Sequence, residues 1–338
     1  VSVSVVIATR NRSEWLQWAI SSLCDQEVPP AEIVIVDGSD PAHAVKTESV
    51  VKACRERFPG IIYQTSPPGH TRQKNVGVAH ASQEILLFMD DDVVLHPSYL
   101  GVVLRTFERD SEIVGVGGRI WNETERSPMA TAFRRFFTMA DNKRGDLTAS
   151  ADAGHIYQVE STAEVQTLSG SNMAFRRSLF RDGGLSFDEN FEGYGLMEDQ
   201  IFSLQAGTKG RLVQNGDAIL FHGFRPRDRW SERYARDQAC RAAYVYVTIG
   251  RHRGGRLTAL IWRLVGRTLY GVASGLAHKR MDVVRGALGG FAHVIKHFPE
   301  ADENPAIFLS PGTRPPESPT SAEKAPVPTV TRRPGRSA

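Results

Sequence analysis

Residues 84–92 read Glu84-Ile85-Leu86-Leu87-Phe88-Met89-Asp90-Asp91-Asp92. A short continuous apolar run of this kind suits a strand buried on both faces, and here it leads straight into three aspartates. Alternate side chains of an extended chain share a face, so Asp90 and Asp92 converge if the extended geometry persists. Two carboxylates just beyond a buried strand make an oxygen site for Mg²⁺ or Mn²⁺, and such an ion would bridge them to a diphosphate. A solvated acidic turn is the plainer alternative for the triplet taken alone.

Outward from this stretch, apolar runs alternate with helical patterns. Val3 to Thr9 and Glu32 to Val36 read as strands, the second ending in Asp37-Gly38-Ser39-Asp40, and Ile61 to Gln64 as a short third. Helices are expected over Ser13 to Cys24, Val45 to Phe58 and Gln73 to Ala81. The fold class is therefore α/β, a sheet with covering helices whose ligands sit beyond the carboxyl ends of the strands. The middle section reads as irregular, with turns at Gly115 to Gly118 and Gly183-Gly184 and a Gly-rich stretch at Glu192 to Gly195. Further helices are expected from near Met197 and from Asp228 to Ile249. From Leu257 an apolar stripe runs through Leu260, Ile261, Leu264, Val265, Leu269, Val272 and Leu276, with Arg256, Arg263 and Arg267 off it. After about Glu300 the chain turns Pro-, Ser- and Thr-rich, ends near a basic Arg332-Arg333, and is expected to be disordered.

With 338 residues, 41% hydrophobic and 23% charged, the chain has the composition of a globular protein with room for a sizeable core. A net charge of +3 gives no argument for nucleic acid. Cys24, Cys54 and Cys240 lack metal-ligand spacing and leave one unpaired if two join, which favours a reducing, cytoplasmic compartment. The apolar start, Val1 to Ala8, has no basic leader and reads as a strand rather than a signal peptide.

Four further groups carry candidate chemistry. Asp37, at a strand end beside Gly38, suits hydrogen bonding to a base or ribose, or else caps the next helix. Arg72 and Lys74, in Gly69-His70-Thr71-Arg72-Gln73-Lys74-Asn75, could face a pyrophosphate or simply solvate a helix start. In Met197-Glu198-Asp199-Gln200 adjacent helical side chains diverge, so Asp199 is the choice of general base while Glu198 orients an acceptor or complements the helix dipole. His222 follows an apolar run and either completes the metal site or is a structural histidine.

As an ordered set these residues resemble glycosyltransferase family 2, whose catalytic domain has the GT-A fold. The resemblance starts at Val3-Ser4-Val5-Val6-Ile7-Ala8-Thr9-Arg10-Asn11-Arg12 and continues through Val36-Asp37-Gly38-Ser39, Arg72 to Gly77 and Asp90-Asp91-Asp92. It extends through Leu168-Ser169-Gly170-Ser171-Asn172-Met173-Ala174-Phe175-Arg176-Arg177, Gly183-Gly184, Phe187-Asp188-Glu189 and Glu198-Asp199, covering about residues 1–225. It implies a GT-A catalytic domain over 1–225, a helical C-terminal extension over 226–299 and a tail over 300–338. It also implies that Thr9, Arg10, Asp37, Arg72, Lys74, Asp90 and Asp91 bind the nucleotide sugar, and that Ser171, Asn172 and Glu198 face the acceptor. Asp90, Asp92 and His222 would hold Mn²⁺ or Mg²⁺, with Asp199 as base. Two departures stand out: Val36 precedes a single Asp37 where the family often pairs acids, and Lys74 occupies a usual arginine position.

The expected enzyme is an inverting, metal-dependent hexosyl- or deoxyhexosyl-transferase using a UDP-, dTDP- or GDP-linked donor. Its acceptor would be a carbohydrate or a lipid-linked glycan of the cell envelope. A haloacid-dehalogenase-like phosphatase also suits an apolar strand followed by Asp90 and Asp92, but it should open with that strand, whereas two strands come first here. A sugar-nucleotide pyrophosphorylase would need a Gly-rich basic loop that Ala8-Thr9-Arg10-Asn11 lacks. A catalytically silent sugar-nucleotide-binding module is the third alternative. The stripe over 256–276 either packs on the catalytic domain or rests on a membrane surface with its arginines near anionic lipid.

Overall fold

The computed structural model describes residues 1–123, 126–140, 146–154, 159–191, 195–223 and 231–309. Its strands are β1 (Val3–Thr9), β2 (Glu32–Asp37), β3 (Ile61–Thr65), β4 (Ile85–Asp90), β5 (Val93–Leu95), β6 (Ile113–Ile120), β7 (Thr162–Val165), β8 (Asn172–Arg176) and β9 (Arg211–His222). Helices α1 (Ser13–Cys24), α2 (Pro41–Arg57), α3 (His70–His80), α4 (Tyr99–Arg109), α5 (Pro128–Phe136), α6 (Ser178–Arg181) and α7 (Glu198–Ala206) intersperse them. Then α8 (Glu232–Thr248), α9 (Leu257–Ala277) and α10 (Met281–His297) follow the last strand.

The strands form one nine-stranded mixed sheet in the order β3-β2-β1-β4-β8-β6-β9-β5, with β7 also on β9. β3, β2, β1 and β4 are parallel, and β8 runs antiparallel to β4. Strand order reverses at β1, which has β2 on one side and β4 on the other. The register aligns Thr9 with Asp37 and Ala8 with Asp90, so three strand ends share one edge of the crevice that such a reversal opens.

The apolar run of β4 is buried on both faces, as its sequence requires. Ile85, Leu87 and Met89 pack with Leu16, Ile20 and Phe107 of α1 and α4. Leu86 and Phe88 pack with Phe175, Phe187 and Phe202 on the other side. Each such side chain removed from water contributes about 1.5–3 kcal/mol before entropy is counted. A third cluster joins Ile201 to Tyr244 and Val245 of α8, Leu260 and Leu264 of α9, Val294 of α10 and Phe308.

Three sequence expectations change. Gly115 to Gly118 lie inside β6 rather than in a turn. A Cβ at Gly115 would meet Leu212 at 2.6 Å and Phe175 at 2.8 Å, and one at Gly118 would meet Tyr99 at 2.4 Å, so large neighbours fill the space those residues leave. The packed chain also continues past Glu300, through short 3₁₀ turns to Leu309, because Ala301 and Phe308 are buried against α8–α10. The expected tail beyond that point, the helix start at Asp228 and residues 192–194 of the Gly-rich stretch lie outside the described residues. Finally, of the three arginines expected off the stripe, Arg256 is exposed ahead of α9 and Arg267 is partly buried, while Arg263 turns inward and is fully buried, its Nη2 2.6 Å from Asp152 Oδ1. Leu260 and Leu264 are buried with it, while Ile261, Leu269 and Leu276 are exposed. No helix among the described residues is long and apolar enough to cross a membrane.

Candidate active site

β4 ends at Asp90, the chain turns through Asp91 and Asp92, and β5 pairs antiparallel with the end of β9, setting Val93 opposite His222. That pairing carries the imidazole to the acidic turn. His222 Nε2 lies 3.3 Å from Asp92 Oδ1 and 3.7 Å from Asp90 Oδ2. One ligand atom from each of the three residues falls within 4.8 Å of the others. Asp91 points elsewhere, accepting from Thr9 Oγ1 at 2.7 Å. Arg12 spans both of its neighbours, donating from Nη1 to Asp91 at 2.7 Å and from Nη2 to Asp92 at 2.6 Å.

Electrostatics separate the three carboxyls. Burial opposes ionisation of Asp92, but His222 and Arg12 together bring it down to about 2. Asp91 is pushed up to about 7 by burial in spite of Arg12. Asp90 is raised by burial and then by the charge of Asp92. Burial works against the Arg12 guanidinium, yet Asp91 and Asp92 raise it above its ordinary value.

The end of the crevice near β2 is tightly tied. The carboxylate of Asp37 is buried and accepts from Tyr63 Oη and from the Ser39 amide, each at 2.8 Å. The loop after β1 is joined to the loop after β2 by Asn11 N to Ser39 Oγ, by two bonds between Asn11 and Asp40, and by Arg10 to Asp40 at 3.1 Å. Below them the amide of Gln73 donates to Thr9 O at 2.9 Å and Val36 O at 2.8 Å. Gly38 is needed there because a Cβ would stand 2.9 Å from Gln73 Oε1.

The opposite wall is made by α3, α7 and the turn before β8. Met197 takes a left-handed conformation, φ 70°, and directly precedes α7. Glu198 is buried, and its Oε1 meets Lys74 Nζ at 2.5 Å. Burial pushes the Glu198 carboxyl up to about 7 even with that ammonium beside it. Asp199 accepts from the Gly170 and Gln200 amides, each at 2.9 Å. His70, the first residue of α3, holds Nε2 3.8 Å from both Asp90 Oδ1 and Glu198 Oε1. Burial, then the nearby Lys74 charge, lowers its basicity well below the ordinary value.

The structure thus brings together Asp90, Asp92 and His222, with Asp199 on the wall formed by α3 and α7. Other expected residues are arranged differently. Lys74 is buried in its pair with Glu198 Oε1, while the second carboxyl oxygen of Glu198, Oε2, is buried without a hydrogen-bond partner among the described residues. Thr9 and Asp91 brace one another. Asn172 is fully buried, its Oδ1 accepting from Gly118 N and Tyr99 Oη. The Ser171 carbonyl accepts from the Asp90 amide at 3.2 Å, and its hydroxyl shares a hydrogen bond with Ser169 Oγ at 3.0 Å. Arg72 is half-exposed and pairs with Glu189 at 3.2 Å. Arg12 and His70 were not singled out from the sequence. Arg12 could have been found from its place in a polar loop after a buried strand whose end aligns with the acidic turn; His70 carried no comparable signal.

Known proteins point the same way. A Bacillus subtilis (strain 168) protein named "Putative glycosyltransferase EpsH" is 28% identical over 222 residues, 65% of this chain and 60% of that protein. The glucosyl-dolichyl phosphate glucuronosyltransferase of Haloferax volcanii is 24% identical over 233 residues, 66% of this chain and 67% of that one. This chain therefore matches less than two thirds of the length of EpsH. Among solved structures, the mannosyltransferase PcManGT of Pyrobaculum calidifontis, in complex with GDP-Man and Mn²⁺, has the same GT-A fold. It superposes with a TM-score of 0.51 at 18% identity, covering 91% of this chain and 84% of its own. The glycosyl transferase family 2 model matches residues 4–184, just over half of the sequence and the part from β1 through the acidic turn to β8, and with that match the phosphatase alternative falls away: the chain belongs to glycosyl transferase family 2.

Proposed function

We propose that the chain is an inverting glycosyltransferase that moves a hexosyl or deoxyhexosyl group from a nucleoside diphosphate to an acceptor hydroxyl. The observation that carries this reading is the meeting of Asp90, Asp92 and His222 beside the sheet reversal. The separations of 3.3 and 3.7 Å suit neighbouring ligands of one divalent ion. Two carboxylates with an imidazole fit Mn²⁺ better than Mg²⁺, which prefers an all-oxygen shell. When bound, the ion would neutralise charge on the departing diphosphate.

The protein's own groups supply the rest. Arg12 holds Asp91 and Asp92 in place, so a ligand set with excess negative charge survives burial. The tied loops carrying Arg10 and Asp37 form the nucleoside end, and Arg72 stands where it can exchange Glu189 for a donor phosphate. Asp199, fixed by two backbone amides, takes the proton of the attacking hydroxyl, a contribution of about 10²–10⁴-fold for a well-placed base. Glu198 and Lys74 act as a pair that locks α3 to α7 beneath it. Residues 1–225 are the catalytic domain and 226–299 its helical extension. A lipid-linked acceptor is favoured by the name of the Haloferax volcanii relative.

Incubation of the full chain with UDP-, dTDP- and GDP-sugars, Mn²⁺ and lipid-linked glycan acceptors tests the proposal by mass and by the anomeric coupling of the product. Transfer with inversion, lost in Asp199→Asn, is expected. A product with retained configuration would overturn the single displacement. Nucleotide binding without turnover on any acceptor would favour the silent binding module.

A further inference from the structure

Helix α9 is inverted relative to an ordinary surface helix. Arg263 is enclosed beside Asp152, and Arg267 is partly buried and adds its field to the same aspartate. The opposite face carries Thr258, Ile261, Trp262, Val265, Leu269, Val272, Ala273 and Leu276, spaced three and four apart, and not one charge. Ile261 and Trp262 are each 40% exposed, Leu269 53% and Leu276 56%. The patch extends onto α5, where exposed Phe136 meets the Trp262 ring at 5.4 Å and accepts from its indole N–H. On α10, Met281, Leu288 and Ile295 are exposed at seven-residue intervals. A contiguous apolar surface of this kind marks an interaction site.

The charge around it says what the partner is. Of the seven Lys or Arg from Arg256 to Lys296, Arg263 and Arg267 face inward, which leaves Arg256, Lys279, Arg280, Arg285 and Lys296 exposed against a single acid, Asp282, that Arg280 engages. Arg236, Arg285, His293 and Lys296 line a cleft between α8 and α10, with Glu232 the one acidic residue there. A second copy of the chain, joined through a two-fold axis, would set the same cations against one another. Residues 310–338 contribute only Val327 and Val330 as large aliphatics, no aromatic, and five Lys or Arg against two Glu, so they match neither the apolar face nor its charge. An anionic bilayer matches both, taking the apolar side chains at headgroup depth and the cations at its phosphates.

We propose that the exposed face of α9 and α10, with Phe136 of α5, docks the protein on the surface of an anionic lipid bilayer without crossing it. This does not depend on the reaction assigned above, because vesicles without donor or acceptor suffice to test it. The full chain is floated with phosphatidylcholine vesicles, with and without phosphatidylglycerol, alongside Ile261→Asp/Leu269→Asp, Arg285→Glu/Lys296→Glu and Val45→Asp, the last altering an exposed valine of α2 far along the chain. Wild type and Val45→Asp should float with anionic vesicles and less so in high salt. Ile261→Asp/Leu269→Asp should lose at least about tenfold in partition with an unchanged melting profile, and Arg285→Glu/Lys296→Glu about tenfold on anionic vesicles only. Absence of flotation, or flotation unaffected by both double variants, overturns the proposal. So does a wild-type dimer in light scattering that Ile261→Asp/Leu269→Asp dissociates without any vesicle binding, which would give the face to a second copy. Flotation that vanishes on truncation after Leu309 would give it to the tail.

Discussion

Two buried clusters in this molecule use the same side chains in opposite proportions. At the acidic turn, three aspartates crowd around one arginine, Arg12, with His222 at the side. In the layer beneath α9, one aspartate, Asp152, is held by Arg263 at 2.6 Å and Arg134 at 3.4 Å, and by the Ala140 amide at 3.0 Å. The second is neutralised several times over. The first keeps negative charge that its own cations do not cancel, and two of its carboxyls are raised, by burial first and then by the charge of Asp92. Imbalance of that sign supports the proposed cation site, whereas the cation-rich cluster around Asp152 fastens an element in place.

Substitutions should separate the two. Asp92→Asn is expected to lower sugar transfer about 10²–10³-fold and to remove any Mn²⁺-dependent thermal stabilisation by nucleotide, and it should also lower the urea midpoint because Arg12 and His222 lose the carboxylate they hold ionised. Asp152→Asn should act on stability alone, costing about 3–5 kcal/mol in urea unfolding because Arg263 is left buried without its partner, while residual folded enzyme keeps its KM for donor. Asp90→Asn, which removes a carboxylate that burial and Asp92 disfavour, should stabilise the metal-free protein by about 1 kcal/mol as it abolishes transfer. If Asp90→Asn destabilises instead, the two clusters are not different in kind.

Acidity sharpens the contrast. Asp152 lies below its ordinary value, chiefly through Arg263 against the cost of burial, so its contribution is present at neutral pH and lost as pH falls through the depressed value. Glu198 is raised to about 7, so the unfolded chain ionises first and stability declines as pH rises from the ordinary glutamate range towards 7. Glu198→Gln should reduce that slope, read from urea midpoints, leaving the share due to Asp91, which is also raised to about 7, and the acid limb unchanged. The smallest effect is expected at Arg72: Arg72→Ala should change stability by less than about 1 kcal/mol, since the pair with Glu189 is half-exposed, yet weaken donor binding measured by calorimetry.

The parallel half of the sheet was legible because its strands are buried on both faces and therefore read as unbroken apolar runs ending in polar residues, as in β1, β2 and β4. The acidic turn and His222 were legible as candidates, but their meeting depends on β5 pairing with β9, and three-residue β5 is too short to announce itself. Gly115 to Gly118 looked like a turn because the side chains that fill their space, Phe175, Leu212 and Tyr99, come from remote parts of the sequence. The internal partners of Lys74 and Arg12 were not legible for one reason. A cation in a loop or first helical turn is by default solvated or ligand-facing, and only the tertiary neighbours Glu198, Asp91 and Asp92 reveal an internal partner.

The Gln73 amide, bonded to Thr9 O and Val36 O at once, has a consequence for redesign. It fuses two loops that the sequence separates by almost thirty residues, and Asn11 and Asp40 stitch the same seam from above. Grafting either loop alone from another transferase would import one half of a joint. Under the nucleoside role proposed for these loops, an attempt to exchange donor preference has to transplant residues 9–12, residues 37–40 and position 73 as one cassette.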